Sequence, residues 1–348
     1  MAYTTIDDPS AHFQTKLYTG TGSSLALTND GNSDLQPDWV WAKRRDGTYS
    51  HALFDSSRGS TKRLVSNLTN AEDTNAQYIT SFDSDGFTSG TDANLNQSSL
   101  TYVAWQWKAN GGTTSSNSDG SVTSTVQVNT DAGFSIVTYT GTGSGNTIGH
   151  GLGTTPGWII ARVRSTTNNW GVWHQDLGGA NKYLKLNTTD STITATDIWN
   201  NTLPTSTVFS TGAAGTTNDS GATYVAYCFA EKKGYSKFGS YTGNGNADGP
   251  FVYTGFKPAW LMIKSSGSAG DNWVICDNKR DTFNVMENIL LPNATSAEFD
   301  ETSFDFLSNG FKLRQNAATY NDSGDTFIYM AFAEHPFVSS KGVPVTAR

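Results

Sequence analysis

Cysteine is nearly absent: Cys228 and Cys276 are the only two in 348 residues. Two thiols exclude a disulfide framework and a thiolate zinc centre. Cys228 lies inside an aromatic run and reads as a small buried hydrophobe, so no bridge between the two is expected. Charge is sparse as well, at 16% of residues with a formal balance of -8 and a pI near 5.0. That balance argues against a nucleic-acid partner, which demands clustered Lys and Arg; the densest basic run, AKRRDG at Ala42–Gly47, reads as a solvated strand end. No run of 18 apolar residues occurs, which argues against a spanning helix and membrane insertion. The opening MAYTTIDDPSAHF has neither the basic start nor the apolar stretch of a secretory leader, so a soluble chain made in a cytoplasm is expected. Histidine is equally thin: His12, His51, His150, His174 and His335 show no metal-ligand spacing.

What is abundant is Gly, Ser, Thr, Asn and aromatic residues, the composition of a β-rich chain with many tight turns. Four landmarks recur in fixed order. YTGTG at Tyr18 and Tyr139 becomes YTGNG at Tyr241; PDWVWAK at Pro37 is matched by PGWIIAR at Pro156 and PAWLMIK at Pro258. An Asp then follows an aromatic-apolar run at Asp55, Asp176 and Asp277. Last comes an Asn-Xaa-Ser turn (Asn96, Asn218, Asn321) leading into the heptapeptides TYVAWQW, TYVAYCF and TFIYMAF. The expected organisation is three tandem homologous β-sandwich, jelly-roll-like domains in an all-β chain. The first spans 1–109 with its N-terminal tail, the second 131–233 and the third 234–337, strung as beads. Residues 110–130 read as a Gly/Ser/Thr-rich linker, or a peripheral arm if a partner orders it. Residues 338–348 read as a C-terminal tail, fraying or serving as an attachment segment. Because only Glu231–Ser236 joins the second and third units, they are expected to pack as a fixed pair.

Alternation in the heptapeptides separates two faces. Val103, Trp105 and Trp107, with Val225, Tyr227, Phe229 and Ile328, Met330, Phe332, form the large apolar face and point to a core. The opposite face, with Tyr102, Tyr224 and Phe327, reads as half-covered. Each heptapeptide is then the central strand of its own domain. Trp39, Trp158 and Trp260 begin strands after a proline, where proline is tolerated.

The recurring residues are structural in this reading: Trp39, Trp158, Trp260, Asp55, Asp176, Asp277, Asn96, Asn218, Asn321, Trp105, Tyr227 and Met330. Asn and Ser make turns by bonding nearby backbone. The match of these triplets to a glycosylation acceptor is coincidental without a secretory leader. Lys43, Arg162 and Lys264 recur beside the three Asp residues and are expected as exposed cross-strand ion pairs, with a shared polar ligand site as the alternative. FDSDG at Phe82–Gly86 reads as an acidic turn rather than a calcium loop. His174 and Asp176 face one way but lack a nucleophile. The Gly-rich stretch Gly141–Gly153 lacks the ending of a phosphate loop and reads as a turn region. Trp170 and Trp199 could stack on sugars, although core duty claims most aromatics. No catalytic, cofactor or metal site is expected.

The segments GHGLGTTPGWIIAR, YVAYCFAEKKGYSKFGSYTGNG, DGPFVYTGFKPAWLMIK, DFLSNGFKLR and YMAFAEHPFV resemble a repeated β-domain family of marine bacteriophages, the cyanophage and pelagiphage type. The resemblance covers nearly the whole chain. It implies a non-enzymatic virion structural protein on the tail or capsid surface, made in the host cytoplasm. A tail fibre or tail appendage touching the host surface is the first reading, and a capsid decoration protein or head fibre the second. By analogy with phage fibres it implies a homo-oligomer, a trimer first, contacting other virion proteins and a host surface glycan. A lectin-like carbohydrate-binding protein is the alternative of another class, and would place exposed aromatics at equivalent spots in all three units. A glycan-degrading enzyme would need paired acids in one cleft. The absence of a long shaft weighs towards decoration.

Overall fold

The heptapeptides form the strands that their alternation predicts: Thr101–Trp107, Thr223–Phe229 and the first part of Thr326–Pro336. In the computed structural model, which describes residues 2–345, each is flanked by the same neighbours. The Tyr-Thr-Gly strand pairs antiparallel on one side (Phe13–Thr19, Phe134–Thr140, Ser236–Thr242). The Trp-bearing strand pairs on the other (Trp39–Arg44, Trp158–Val163, Phe256–Ser265). Ala52–Asp55, Gly171–His174 and Val274–Asp277 come next. A second sheet of shorter antiparallel strands covers one side of each of these sheets, and the helices are single turns such as Ala93–Asn96. The protein is all-β.

The two faces of the heptapeptide have the opposite roles to those expected. Tyr102 and Ala104, Tyr224 and Ala226, and Phe327 and Tyr329 point between the paired sheets of their own repeat and are fully buried in three separate clusters. The larger face belongs to one cluster drawn from all three repeats, holding Trp105 and Trp107, Tyr227 and Phe229, and Met330 and Phe332. The main sheets therefore turn towards one another around a shared aromatic axis. Phe332 sits at its centre, with ring centroids 5.7 Å from Trp107 and 5.9 Å from Phe229. At roughly 25 cal/mol per Å² and 150–250 Å² per ring, each such residue contributes about 4–6 kcal/mol of gross burial energy. The repeats close into a ring rather than hanging as beads, and the second and third are no more a fixed pair than the others.

Residues 110–130 are not a free linker. Ser115–Asn117 and Ser124–Asn129 extend the sheet of the second repeat at its edge. Gln127 reaches back to the first repeat, donating to the hydroxyls of Ser56 (3.0 Å) and Ser57 (2.9 Å). Asp38 holds the start of the segment by accepting from the backbone of Ala109, Gly111 and Gly112. The polar composition reflects an edge position, where half of the side chains meet water.

The terminal segments are docked to the body and to each other. Ile6 is buried in the axial cluster, Tyr3 donates to the Gly255 carbonyl at 2.8 Å, and the Asp7 carboxylate accepts from the Ser340 backbone at 2.6 Å and from its hydroxyl. The tail residues Met1 and 346–348 lie outside the described residues.

Candidate functional site

Strand register decides which recurring residues are equivalent. Trp39 lies opposite Asp55 and Trp260 opposite Asp277, but Trp158 lies opposite His174. Asp176 is therefore not the third member of its set. It is exposed on the following turn, and its backbone N–H donates to His174 Nδ1 at 3.0 Å. The pairing of His174 and Asp176 is a local cap.

The two true aspartates sit at junctions between repeats. Asp55 binds Arg58 and accepts the Tyr227 hydroxyl of the second repeat at 2.7 Å. Arg58 Nη1 donates to Glu72 at 2.9 Å, and Glu72 also receives Arg164 of the second repeat, at 2.9 and 3.0 Å. The junction between the third and first repeats repeats this arrangement residue for residue. Asp277 binds Arg280 at 2.6 Å and accepts the Trp105 indole N–H at 2.9 Å; Glu298 receives Arg280 at 3.0 Å and Arg45 at 2.6 Å. Buried charges need this complete set of partners to offset lost hydration.

The remaining junction carries the same backbone and different chemistry. The Thr192 N–H meets the Ser266 carbonyl at 3.0 Å, as Glu72 meets Arg164 and Glu298 meets Arg45, both at 2.8 Å. Here His174 replaces the aspartate, Leu177 the arginine, Thr192 the glutamate and Ser266 the second arginine. Met330 stands where Trp105 and Tyr227 offer a donor, so an aspartate would find no side-chain donor across the junction. Burial pulls the His174 pKa down to about 3, and the neutral ring suits a site without charges.

Asn96, Asn218 and Asn321 are fully buried clamps. Each donates to two carbonyls and accepts one N–H from the loop after the Tyr-Thr-Gly strand; for Asn218 the partners are Ser144 and Gly212 (2.6 and 2.5 Å) and Thr142 (2.7 Å). The loop glycines have φ of +73, +74 and +64 at Gly22, Gly143 and Gly245, a left-handed backbone open to glycine at little cost. Turn-making accounts for these asparagines, which are too buried to accept a glycan.

Lys43, Arg162 and Lys264 do not pair with the aspartates. They are buried and bond carbonyls instead: Lys43 those of Arg44 and Gly47, Lys264 that of Asp271, Arg162 that of Asn70. Burial lowers both lysines to about 8 and Arg162 to about 10. Asp83 and Asp85 are taken up by Ser81, Thr88 and the Leu35 backbone. Trp170 and Trp199 are buried, so neither offers a stacking surface. Among the described residues no three His, Cys, Asp or Glu side chains converge as metal ligands.

The threefold pattern is broken in a second way at the seam between the first and third repeats. Opposite Trp105, Tyr227 and Met330 stand Thr15, Ile136 and Phe238. Thr15 borders an open hollow of about 190 Å³, together with Ser10, Gln14, Asp30, Lys279 and Glu334. Thr15 is 4% exposed and its hydroxyl has no protein partner. A second hollow, of about 220 Å³, adjoins it through Asn278 and is bordered by Lys257, Asp281, Phe283 and Phe306. Phe283 is 73% exposed. It lies on an insertion: Leu64 follows Asp55 by nine positions and Leu184 follows His174 by ten, but Leu290 follows Asp277 by thirteen. These leucines are equivalent, facing Leu53, Val172 and Ile275. Comparing the repeats in sequence could have exposed the insertion; the Thr15 exchange became visible only with the register.

Asp8 and Asp281 in the groove are held by hydroxyl, amide and backbone donors, and other charges there are paired. Asp30 pairs with Lys16 (3.4 Å) and Lys279 (3.0 Å), and Glu334 with Lys257. Burial raises the Asp30 carboxyl, and the two lysines outweigh it, leaving the pKa below its ordinary value. Burial likewise opposes ionisation of Asp8, and hydrogen bonds from Ser10 and Ser33 outweigh it. Both stay ionised near neutrality as hydrogen-bond acceptors, the wrong state for a general acid.

No curated protein matches the chain. The family model described as Domain of unknown function (DUF7483) matches residues 8–336, a span that takes in all three repeats, the junction networks and the seam groove except for parts of the terminal segments. The chain belongs to that family.

Proposed function

We propose that the protein is a non-enzymatic structural component of a bacteriophage particle, a tail appendage that touches the host surface. The observation that carries this reading is the ring itself. Three repeats share one buried aromatic axis and two internal ion networks, which suits a rigid structural element. The sequence resemblance supplies the particle, and the groove supplies a surface able to meet a host. Residues in the groove are hydrogen-bonding and ion-paired, which suits recognition.

A capsid decoration role is the second reading, favoured by two observations. The ring has no shaft, and its terminal segments lie together at Asp7 and Ser340, so one face could grip a shell while the opposite face projects. Association with other virion proteins or with further copies of the chain would use outer surfaces, because the axial core is closed within one chain.

Antibody-gold labelling of intact particles, followed by reconstruction of the labelled region, tests both. Label on the tail supports the first reading, regularly spaced label on the shell supports the second, and particles without label overturn both.

A further inference from the structure

We infer that the groove along the seam of the first and third repeats is a binding site for an uncharged saccharide. The inference rests on the proposed host-contact role for its biological meaning but not for its chemistry. The internal repeats act as controls. At the other two junctions Ile136 and Phe238 occupy the place of Thr15, with buried side chains in the axial cluster. The seam of the first and second repeats is also covered by Gln127, which bonds Ser56 and Ser57 where the third repeat has Asn278 and Lys279; the hollow lies where Phe13–Thr19 ends its sheet. The loop between Asp277 and Leu290 is likewise longer than its counterparts. These two departures lie far apart in sequence and border adjoining hollows that share Asn278.

The lining selects the ligand class. Phe283 offers an exposed ring at one end, able to stack on the C–H face of a sugar. Asn278 and Asp30 bring amide and carboxylate groups suited to neighbouring hydroxyls. Asp30 is fixed between two lysines and Glu334 is paired with Lys257, so no free cation waits for a phosphate or an acidic sugar. Each hollow is below the 300–1,000 Å³ common for drug-sized ligands, which limits it to about one sugar ring, and the pair to a short stretch of a longer chain.

Saturation-transfer NMR on the whole protein tests this with D-glucose, D-galactose, D-mannose and N-acetylglucosamine as separate probes, alongside their β- and α-linked disaccharides. At least one neutral probe should receive saturation. That signal should fall at least tenfold in Phe283→Ala, a change at an exposed position, and in Thr15→Ile, which enlarges a side chain bordering the first hollow. It should persist in Phe251→Ala, an exposed aromatic on another edge of the third repeat. Absence of transfer from every probe overturns the inference, as does transfer that survives Phe283→Ala. Should Thr15→Ile fail to fold, the Phe283 variant alone decides. The particle-labelling outcome is independent: label on the particle without saccharide binding rejects only the groove, and binding without label rejects only the virion reading.

Discussion

The indole of Trp105 in the first repeat donates to the carboxylate of Asp277 in the third, 2.9 Å away and wholly buried. The same place between the first and second repeats is taken by Tyr227 and Asp55 at 2.7 Å. These bonds join residues 172 positions apart and hold the ring at two of its three junctions.

Trp105→Phe should keep most of the packing while removing the donor. The expected loss is about 1–3 kcal/mol, read from urea denaturation. Asp277→Ala should cost more, about 3–5 kcal/mol, because Arg280 is left buried without its first partner. Equal losses in the two variants would reject the network as an energetic unit.

The third junction should refuse what the others require. His174→Asp introduces a carboxylate facing Met330 and Leu177, neither of which can donate, and is expected to destabilise by several kcal/mol. Adding Met330→Tyr and Leu177→Arg should recover part of that loss. A double-mutant cycle between positions 174 and 330 measures the coupling.

Acid should weaken the protein through its buried imidazoles. His174 titrates near 3 when folded against an ordinary value of 6.5, and burial also carries His51 well below that value. Between those limits the unfolded chain binds more protons than the folded one, so stability falls as the pH drops below about 6.5. Each such histidine contributes a slope of about 1.4 kcal/mol per pH unit. His174→Asn, which retains a side-chain acceptor for the Asp176 N–H, should flatten the slope by one proton's worth between pH 6 and 4. An unchanged slope in denaturation series at those pH values would reject the assignment.

Because the aromatic axis is built within one chain, its thermal midpoint should not depend on protein concentration across a hundredfold range, as it would for a core shared between separate subunits. Scanning calorimetry at several concentrations checks this.

Much of the fold was legible because local pattern and global packing agree. The heptapeptide alternation, the tryptophan strands of the first two repeats and the asparagine turns each carry a period or a punctuation that survives in one repeat taken alone; in the third repeat Pro258 does not lead its strand but sits within Phe256–Ser265 at a bulge, where proline is also tolerated. What failed was the assignment of faces. Alternation reports that Trp105 and Tyr102 point opposite ways, but both sides are buried, and nothing local distinguishes the core of a sandwich from a junction between sandwiches. The Asp176 error has a similar origin: the second repeat carries an aspartate two positions beyond the structural one, and only strand register shows that His174 holds the place. Residues 110–130 misled through composition, since an edge strand rich in Ser and Thr resembles a tether. The groove was hidden for the opposite reason. Its residues do not recur, and a search for recurrence passes over them.

Fusing three repeats into one chain frees each junction to diverge. In a ring of identical subunits, a groove at one seam would appear at all three, and every change to it would be made three times over. Here Thr15 and Phe283 occur once, so the site proposed at the seam would be single in each molecule. Strength of attachment would then come from the number of molecules displayed together, set by the spacing of the surface that carries them rather than by the contacts of any one.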